Sequence, residues 1–177
     1  DVHDGSTSND TPENSGPDNP KDIFGLNERA IAFMRKSVKE ERPFYAQLFH
    51  YAVHSPTATK AVSEKKFGTL EKGKRHKNAP FAGMTWDFDQ SIAVVLEEIE
   101  NLGIADKTYI VFMSDNGAEG NDVSQIPGNK EWLVERFDNS LENMGKRDSY
   151  IYQGAEWARV SSTPYRDFKT FVSEGGI

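Results

Sequence analysis

Thr108-Tyr109-Ile110-Val111-Phe112-Met113-Ser114-Asp115-Asn116-Gly117 joins a continuous apolar run to a polar turn. A run of this length, rich in β-branched and aromatic residues and closed by turn residues, reads as a strand buried on both faces, as in a parallel sheet. Pro43-Phe44-Tyr45-Ala46-Gln47-Leu48-Phe49 is a second such run. Between them Phe88, Ile92, Val95, Leu96 and Ile99 fall on one face of a helix expected over Asp87 to Leu102. Asp87 and Asp89 suit its amino end, and Gly103 suits the residue after its stop. Strand, helix, strand on this scale is a βαβ crossover, so the expected fold class is α/β with a mostly parallel sheet.

Outward from that unit, Leu26, Ala30, Ile31, Phe33 and Met34 recur at helical spacing from Ile23 to about Val38, with Asp22 or Asn27 as the candidate cap and Pro43 beyond the end. Residues 60–77 carry Lys60, Lys65, Lys66, Lys72, Lys74, Arg75 and Lys77 against Glu64 and Glu71, while Gly68 and Gly73 interrupt any long helix. This segment is expected to be a solvated loop. No recognition motif accompanies it and the chain as a whole is acidic, which argues against a nucleic-acid partner. From Gly120 onward the pattern is loop-rich, with a short helix expected near Lys130 to Arg136 and a last helix or strand near Tyr165 to Val172. Residues 1–21 hold Asp1, Asp4, Asp10, Glu13 and Asp18 with three prolines and almost nothing aliphatic, so an acidic flexible leader is expected there. Residues 22–177 are then the folded part, and both ends look cut from a longer chain.

The 177 residues include 21 Lys+Arg against 28 Asp+Glu, a formal charge of −7, and 11 Phe, 6 Tyr and 3 Trp. That aromatic content supports a buried core. No apolar run reaches the roughly 20 residues of a membrane-spanning helix, so no membrane partner is expected. There is no basic and apolar targeting leader at the start. No cysteine is present, which excludes disulfides, cysteine-ligated metals and a cysteine nucleophile within these residues.

In open α/β sheets ligands gather beyond the carboxyl ends of the strands. Asp115-Asn116 follows the second expected strand and offers one anionic and one neutral oxygen donor, with Gly117 free to turn behind them. Such donors suit Ca²⁺ or Mg²⁺ better than zinc, although D-N-G is also a common plain turn. Two residues do not complete a calcium shell of ~6–8 oxygens. His50 and His54 follow the first expected strand in a loop with Pro56, so helical metal-ligand spacing does not apply. They read either as one surface and one hydrogen-bonded histidine, or as a proton donor or anion contact. Ser162-Thr163-Pro164-Tyr165-Arg166 has the loose form S-x-P-x-R of a nucleophile signature.

In order along the chain, Pro43-Phe44-Tyr45, His54-Ser55-Pro56, the long helix, Tyr109 through Gly120, and Tyr165-Arg166-Asp167-Phe168-Lys169 with Glu174-Gly175-Gly176-Ile177 closely resemble the type I sulfatases. Phe137-Asp138-Asn139-Ser140-Leu141-Glu142-Asn143-Met144-Gly145, Ser149-Tyr150 and Gly154-Ala155-Glu156-Trp157-Ala158 resemble the bacterial arylsulfatase branch in particular. The resemblance spans about Phe33 to Ile177 and rests on the succession of motifs more than on any one. It implies an alkaline-phosphatase-like α/β/α sandwich, incomplete in this chain, and hydrolysis of sulfate esters. Asp115 and Asn116 match metal ligands that normally hold Ca²⁺. His54 and Lys169 match the histidine and lysine that contact the sulfate and the leaving-group oxygen, one of them assisting its protonation. The substrate is then a sulfated small molecule or carbohydrate, and a periplasmic or extracellular setting is compatible with the family.

The departures from the family pattern are equally specific. The family nucleophile is a formylglycine made from Cys or Ser in a C/S-x-P-S/A-R motif, with two acidic metal ligands before it and further Lys and His anion contacts after it. None of these occurs here. Ser162 does not replace it, because its segment corresponds to the region that carries Lys169 and Tyr165 stands where a small residue belongs. The chain is therefore expected to be the middle of a sulfatase catalytic domain, inactive alone. A phosphomonoester or phosphonate hydrolase of the same superfamily is the enzyme alternative, and a non-catalytic α/β binding module the other.

Overall fold

Residues 14–71, 78–120, 128–140, 142–144 and 148–176 are described by the structure, a computed structural model. Its elements are helical: α1 (Ile23–Lys39), α2 (Ala61–Gly68), α3 (Ala79–Asn101), α4 (Asn129–Arg136) and α5 (Gly154–Ser162). Short 3₁₀ turns lie at Pro20–Asp22, Ala105–Lys107 and Glu174–Gly176. No helix among the described residues is long and apolar enough to cross a membrane.

The apolar spacing located α1, but its cap lies further upstream than expected. The Asn19 side-chain oxygen accepts from the backbone N–H groups of Phe24 (2.9 Å) and Gly25 (3.1 Å), satisfying two donors that a helix start leaves unpaired. Asp22 is instead buried with φ at 52°, and its carboxylate accepts from Arg29 at 2.6 Å and from the Asn19 amide at 2.8 Å. Asn27 is also buried and donates to the Ser91 carbonyl at 2.7 Å, tying α1 to α3.

α3 begins at Ala79 rather than Asp87. The Asn78 side chain accepts from the Phe81 N–H at 3.0 Å, and Pro80 occupies the first turn, where a missing N–H costs nothing. Asp87 therefore lies inside the helix, buried, and serves a different helix. Its carboxylate accepts from Thr59 Oγ1 (2.7 Å), Lys60 N–H (2.8 Å) and Ser63 Oγ (2.5 Å), all at the start of α2. Gly83 permits this approach, since a Cβ there would lie 2.6 Å from Thr59 Oγ1. At the other end Gly103, with φ at 65°, stops α3 as its position in the sequence suggests.

Arg35 on α1 donates to both carboxylate oxygens of Glu98 on α3, each at 2.7 Å. Ile23, Ala52, Phe81 and Met84 form the buried apolar cluster, with Phe24, Val53, Phe88 and Trp157 packed on it. The Phe81 and Trp157 rings, 5.4 Å apart, bring α5 to the same core.

Three expectations differ from the structure. First, 60–77 is not simply a loop. Its first part is α2, ending at Gly68, and the Lys60 and Lys66 ammonium groups sit 3.4 Å and 3.2 Å from the ring centroids of Phe24 and Trp86. Residues 72–77 lie outside the described residues. Second, the expected parallel strands 43–49 and 108–113 are not strands, and no sheet forms among the described residues beyond an isolated bridge between Gly16 and Asn19. Both runs are extensively solvent-facing, with Tyr45 79 % and Val111 80 % exposed. A two-face-buried strand needs neighbours on both edges and cover on both faces, and no neighbouring strand lies among the described residues. Both segments nevertheless lie on one side of α3, because the Phe88 ring is 5.0 Å from His50 and 6.2 Å from Phe112. The Tyr165–Val172 stretch is likewise neither helix nor strand but a series of bends and turns.

Two outcomes follow from this packing. Asp87→Ala strands three donors at the start of α2 and is expected to lower unfolding stability by about 2–3 kcal/mol in urea titrations. His50 is largely buried against Phe88, with neither ring nitrogen hydrogen-bonded among the described residues. Burial lowers its pKa from 6.5 to about 4, opposed only in part by the negative charge of Asp22. The unfolded chain therefore takes up this proton first, and the stabilisation present above pH 6.5 drains away as pH falls toward 4. His50→Phe should flatten the loss of urea midpoint across that window, and an unchanged slope would refute the assignment.

Candidate functional site

The Ser114–Gly120 segment carries the two expected metal ligands. Asp115 is exposed, and its Oδ2 accepts from the Asn116 side-chain amide at 2.8 Å. Ser114 Oγ donates to the Asn116 carbonyl at 2.6 Å, tightening the turn. Because Asn116 donates through its nitrogen, its side-chain oxygen and the second Asp115 oxygen remain as hard donors for a cation. These two residues fit part of a calcium shell. Among the described residues no group of three or more His, Cys, Asp or Glu is placed to hold a metal, so a full shell would need donors beyond these.

Behind this pair the backbone meets the carboxyl-terminal segment. A Cβ on Gly117 would lie 2.0 Å from the Gly175 carbonyl oxygen and 2.8 Å from the Lys169 nitrogen, so only glycine allows the approach. Gly120 is equally constrained, since its Cβ would meet the Phe168 ring at 2.4 Å. The Lys169 N–H donates to the Ala118 carbonyl at 2.9 Å, and the Gly175 N–H to Arg166 at 2.9 Å. The backbone of Lys169 is thus fixed against Gly117 and Ala118, the two residues directly after Asp115-Asn116, where the sequence had placed these residues in separate motifs.

His54 lies on the surface. Its Nδ1 is 2.7 Å from the Ser55 carbonyl oxygen, and since a carbonyl only accepts, Nδ1 carries the proton. Nε2 is then the atom available to accept from, or when protonated donate to, a ligand. The His54 loop connects to the Asp115 segment through a third stretch. Thr57 N–H donates to the Ile151 carbonyl at 3.3 Å, and the Gln153 side-chain amide donates to the Glu119 carbonyl at 2.7 Å. Residues 151–153 therefore bridge the two regions, a role that no motif in the sequence announced. Ser162 is buried, its hydroxyl 3.5 Å from the Gly175 carbonyl, in a structural setting.

A family model described as Sulfatase matches residues 6–165. The chain belongs to the sulfatase family. That membership carries an alkaline-phosphatase-like α/β fold, although the sheet is not formed among the described residues. An uncharacterized sulfatase of Schizosaccharomyces pombe is 42 % identical over 98 residues, covering 55 % of this chain and 18 % of that protein. An arylsulfatase of Klebsiella aerogenes is 34 % identical over 98 residues, covering 55 % of this chain and 21 % of that protein. The matched part thus spans about a fifth of these sulfatases. A solved structure of Ps i-CgsB in complex with k-i-k-neocarrahexaose is similar in fold, with a TM-score of 0.55 and 23 % identity, covering 87 % of this chain and 26 % of that one.

The glycine junction is directly testable. Gly117→Ala forces the 166–176 segment away from Ala118, so the Lys169 amide should exchange with solvent at least tenfold faster, the effect of ~1.4 kcal/mol of local destabilisation. Unaltered protection of that amide would refute the steric argument.

Proposed function

We propose that this chain supplies part of the active site of an arylsulfatase-type enzyme that hydrolyses sulfate esters of small molecules or carbohydrates. Support comes from the family match across residues 6–165, joined to the backbone junction that holds Lys169 beside the Asp115-Asn116 turn. The arylsulfatase of Klebsiella aerogenes among the relatives favours the aryl-ester branch of the family. Asp115 and Asn116 would bind Ca²⁺, or Mg²⁺ in its place, through their oxygens. A cation there supplies polarisation of the sulfate group and of the nucleophile.

Breaking a sulfate ester builds negative charge on the departing oxygen. Lys169 and His54 would answer that charge, Lys169 as a fixed cation and His54 through Nε2, with one of them delivering the proton. The Nδ1–H contact to Ser55 orients the imidazole for this role. The nucleophile in this reading is a formylglycine outside these residues, since the chain has no cysteine and Ser162 is buried.

The test compares sulfate with phosphate esters in protein that includes the nucleophile-bearing segment. Lys169→Ala should cut kcat on an aryl sulfate by ~10²–10³-fold, the loss typical of removing one charge-stabilising donor. Asp115→Ala should weaken Ca²⁺ binding by on the order of 10–100-fold in calorimetry. Preferential turnover of phosphate esters would shift the assignment to a phosphohydrolase of the superfamily. Metal content and activity indifferent to Asp115→Ala would leave a plain turn. The 177-residue chain alone should show no turnover, and robust hydrolysis by it would overturn the placement of the nucleophile.

A further inference from the structure

Beside the bridging residues 151–153 lies an open cavity of about 450 Å³. Its floor includes Leu133 and Ile151, both buried, and Ala155 at the start of α5 lines one side. Tyr150 and Tyr152 form a wall, with ring centroids 5.4 Å apart. Tyr150 is backed by Trp132 at 5.7 Å and Phe137 at 5.1 Å, so the wall is a packed aromatic block and not an isolated ring. Such a block presents a rigid surface to a flat ligand without having to be ordered on binding.

The cavity shares no lining residue with the candidate site, but its backbone is tied to both halves of that site. Ile151 in its floor accepts from Thr57, three residues past His54, and Gln153, next to Tyr152, donates to Glu119 in the Asp115 segment. The wall is therefore built on the same backbone that joins the two halves of the site. Its polar lining is already engaged with the fold. Asn78 accepts from Phe81 and donates to the Tyr152 carbonyl at 3.2 Å, and the Asn139 side-chain oxygen accepts from the Tyr150 N–H at 2.7 Å. A sugar ring demands many directed hydrogen bonds, whereas an aromatic ring is satisfied by apolar area and ring contacts.

We propose that this cavity is the subsite for the aryl group of the sulfate ester, with Tyr150, Tyr152 and the Leu133–Ile151 floor as its specificity determinants. The assignment of the ester's sulfate end rests on the function proposed above; the ring subsite is testable without it. Titration calorimetry of the 177-residue chain with 2-naphthol, and separately with N-acetylgalactosamine, uses ring probes that carry no sulfate. The aryl probe should bind and the sugar should not. Ala155→Trp, which fills the cavity, and Tyr150→Leu, which removes the backed ring, should each weaken 2-naphthol binding, by ~10-fold for the loss of ring contact and more for the filled cavity. Near-UV circular dichroism checks that each variant keeps its fold, and either variant suffices for the comparison. Absent 2-naphthol binding, equal binding by a folded variant, or preferential binding of the sugar would overturn the proposal. Since neither probe bears sulfate, failure here leaves the sulfate-ester reading standing, and failure of that reading leaves the ring subsite standing.

Discussion

The carboxylate of Asp87, buried within α3, is the constraint around which the described part of the molecule is arranged. A buried carboxylate is costly unless its oxygens are occupied, and here three donors from Thr59, Lys60 and Ser63 occupy them. Those donors fix where the chain leaving the His54 loop must turn into α2. Along the same helix, Ser91 and Glu98 engage Asn27 and Arg35 of α1, while Phe81 reaches Trp157 of α5 and Phe88 reaches His50 and Phe112. A single long helix thus holds the two segments that carry His54 and Asp115 on one of its sides.

Steric exclusion around glycine does the equivalent work nearer the site. Gly117 and Gly120 let the 115–120 backbone press against Phe168, Lys169 and Gly175 at distances no side chain would tolerate. The consequence is positional. Lys169 is anchored through its own backbone, by a bond to Ala118, and its side chain starts from a fixed root. In the proposed reaction, a lysine so rooted would meet developing charge with less ordering cost than one on a mobile loop.

Helical periodicity was legible in the sequence where the apolar stripe and the caps agreed, as in α1. It failed at the start of α3, because Asp87 and Asp89 suit an amino end whereas the actual cap, Asn78, lies further upstream. It also assigned the buried side of α3 to apolar residues, whereas Asp87, Ser91 and Glu98 are among the most buried there, each with a partner that lies far away in sequence. The apolar runs 43–49 and 108–113 signalled a demand for burial, but composition cannot state whether neighbouring strands exist to meet it. The candidate site was visible as motifs, His54, Asp115-Asn116 and Lys169. Their mutual anchoring through Gly117, Gly175 and Gln153 was not, since it depends on close approaches between segments about 35 to 60 residues apart.

The uncovered run from Tyr109 to Met113 has a consequence for how the molecule behaves among its own copies. It is uncharged, free of proline, and built from residues that favour extended pairing, and its side chains face solvent. Segments of that kind seek backbone partners on any neighbour that presents the same edge. Opposing such pairing is the long-range repulsion of a net charge of −7, which salt screens over roughly 8–10 Å at physiological strength. Colloidal stability of this chain is accordingly a contest between its exposed apolar runs, this one and 43–49, and the ionic strength of its surroundings.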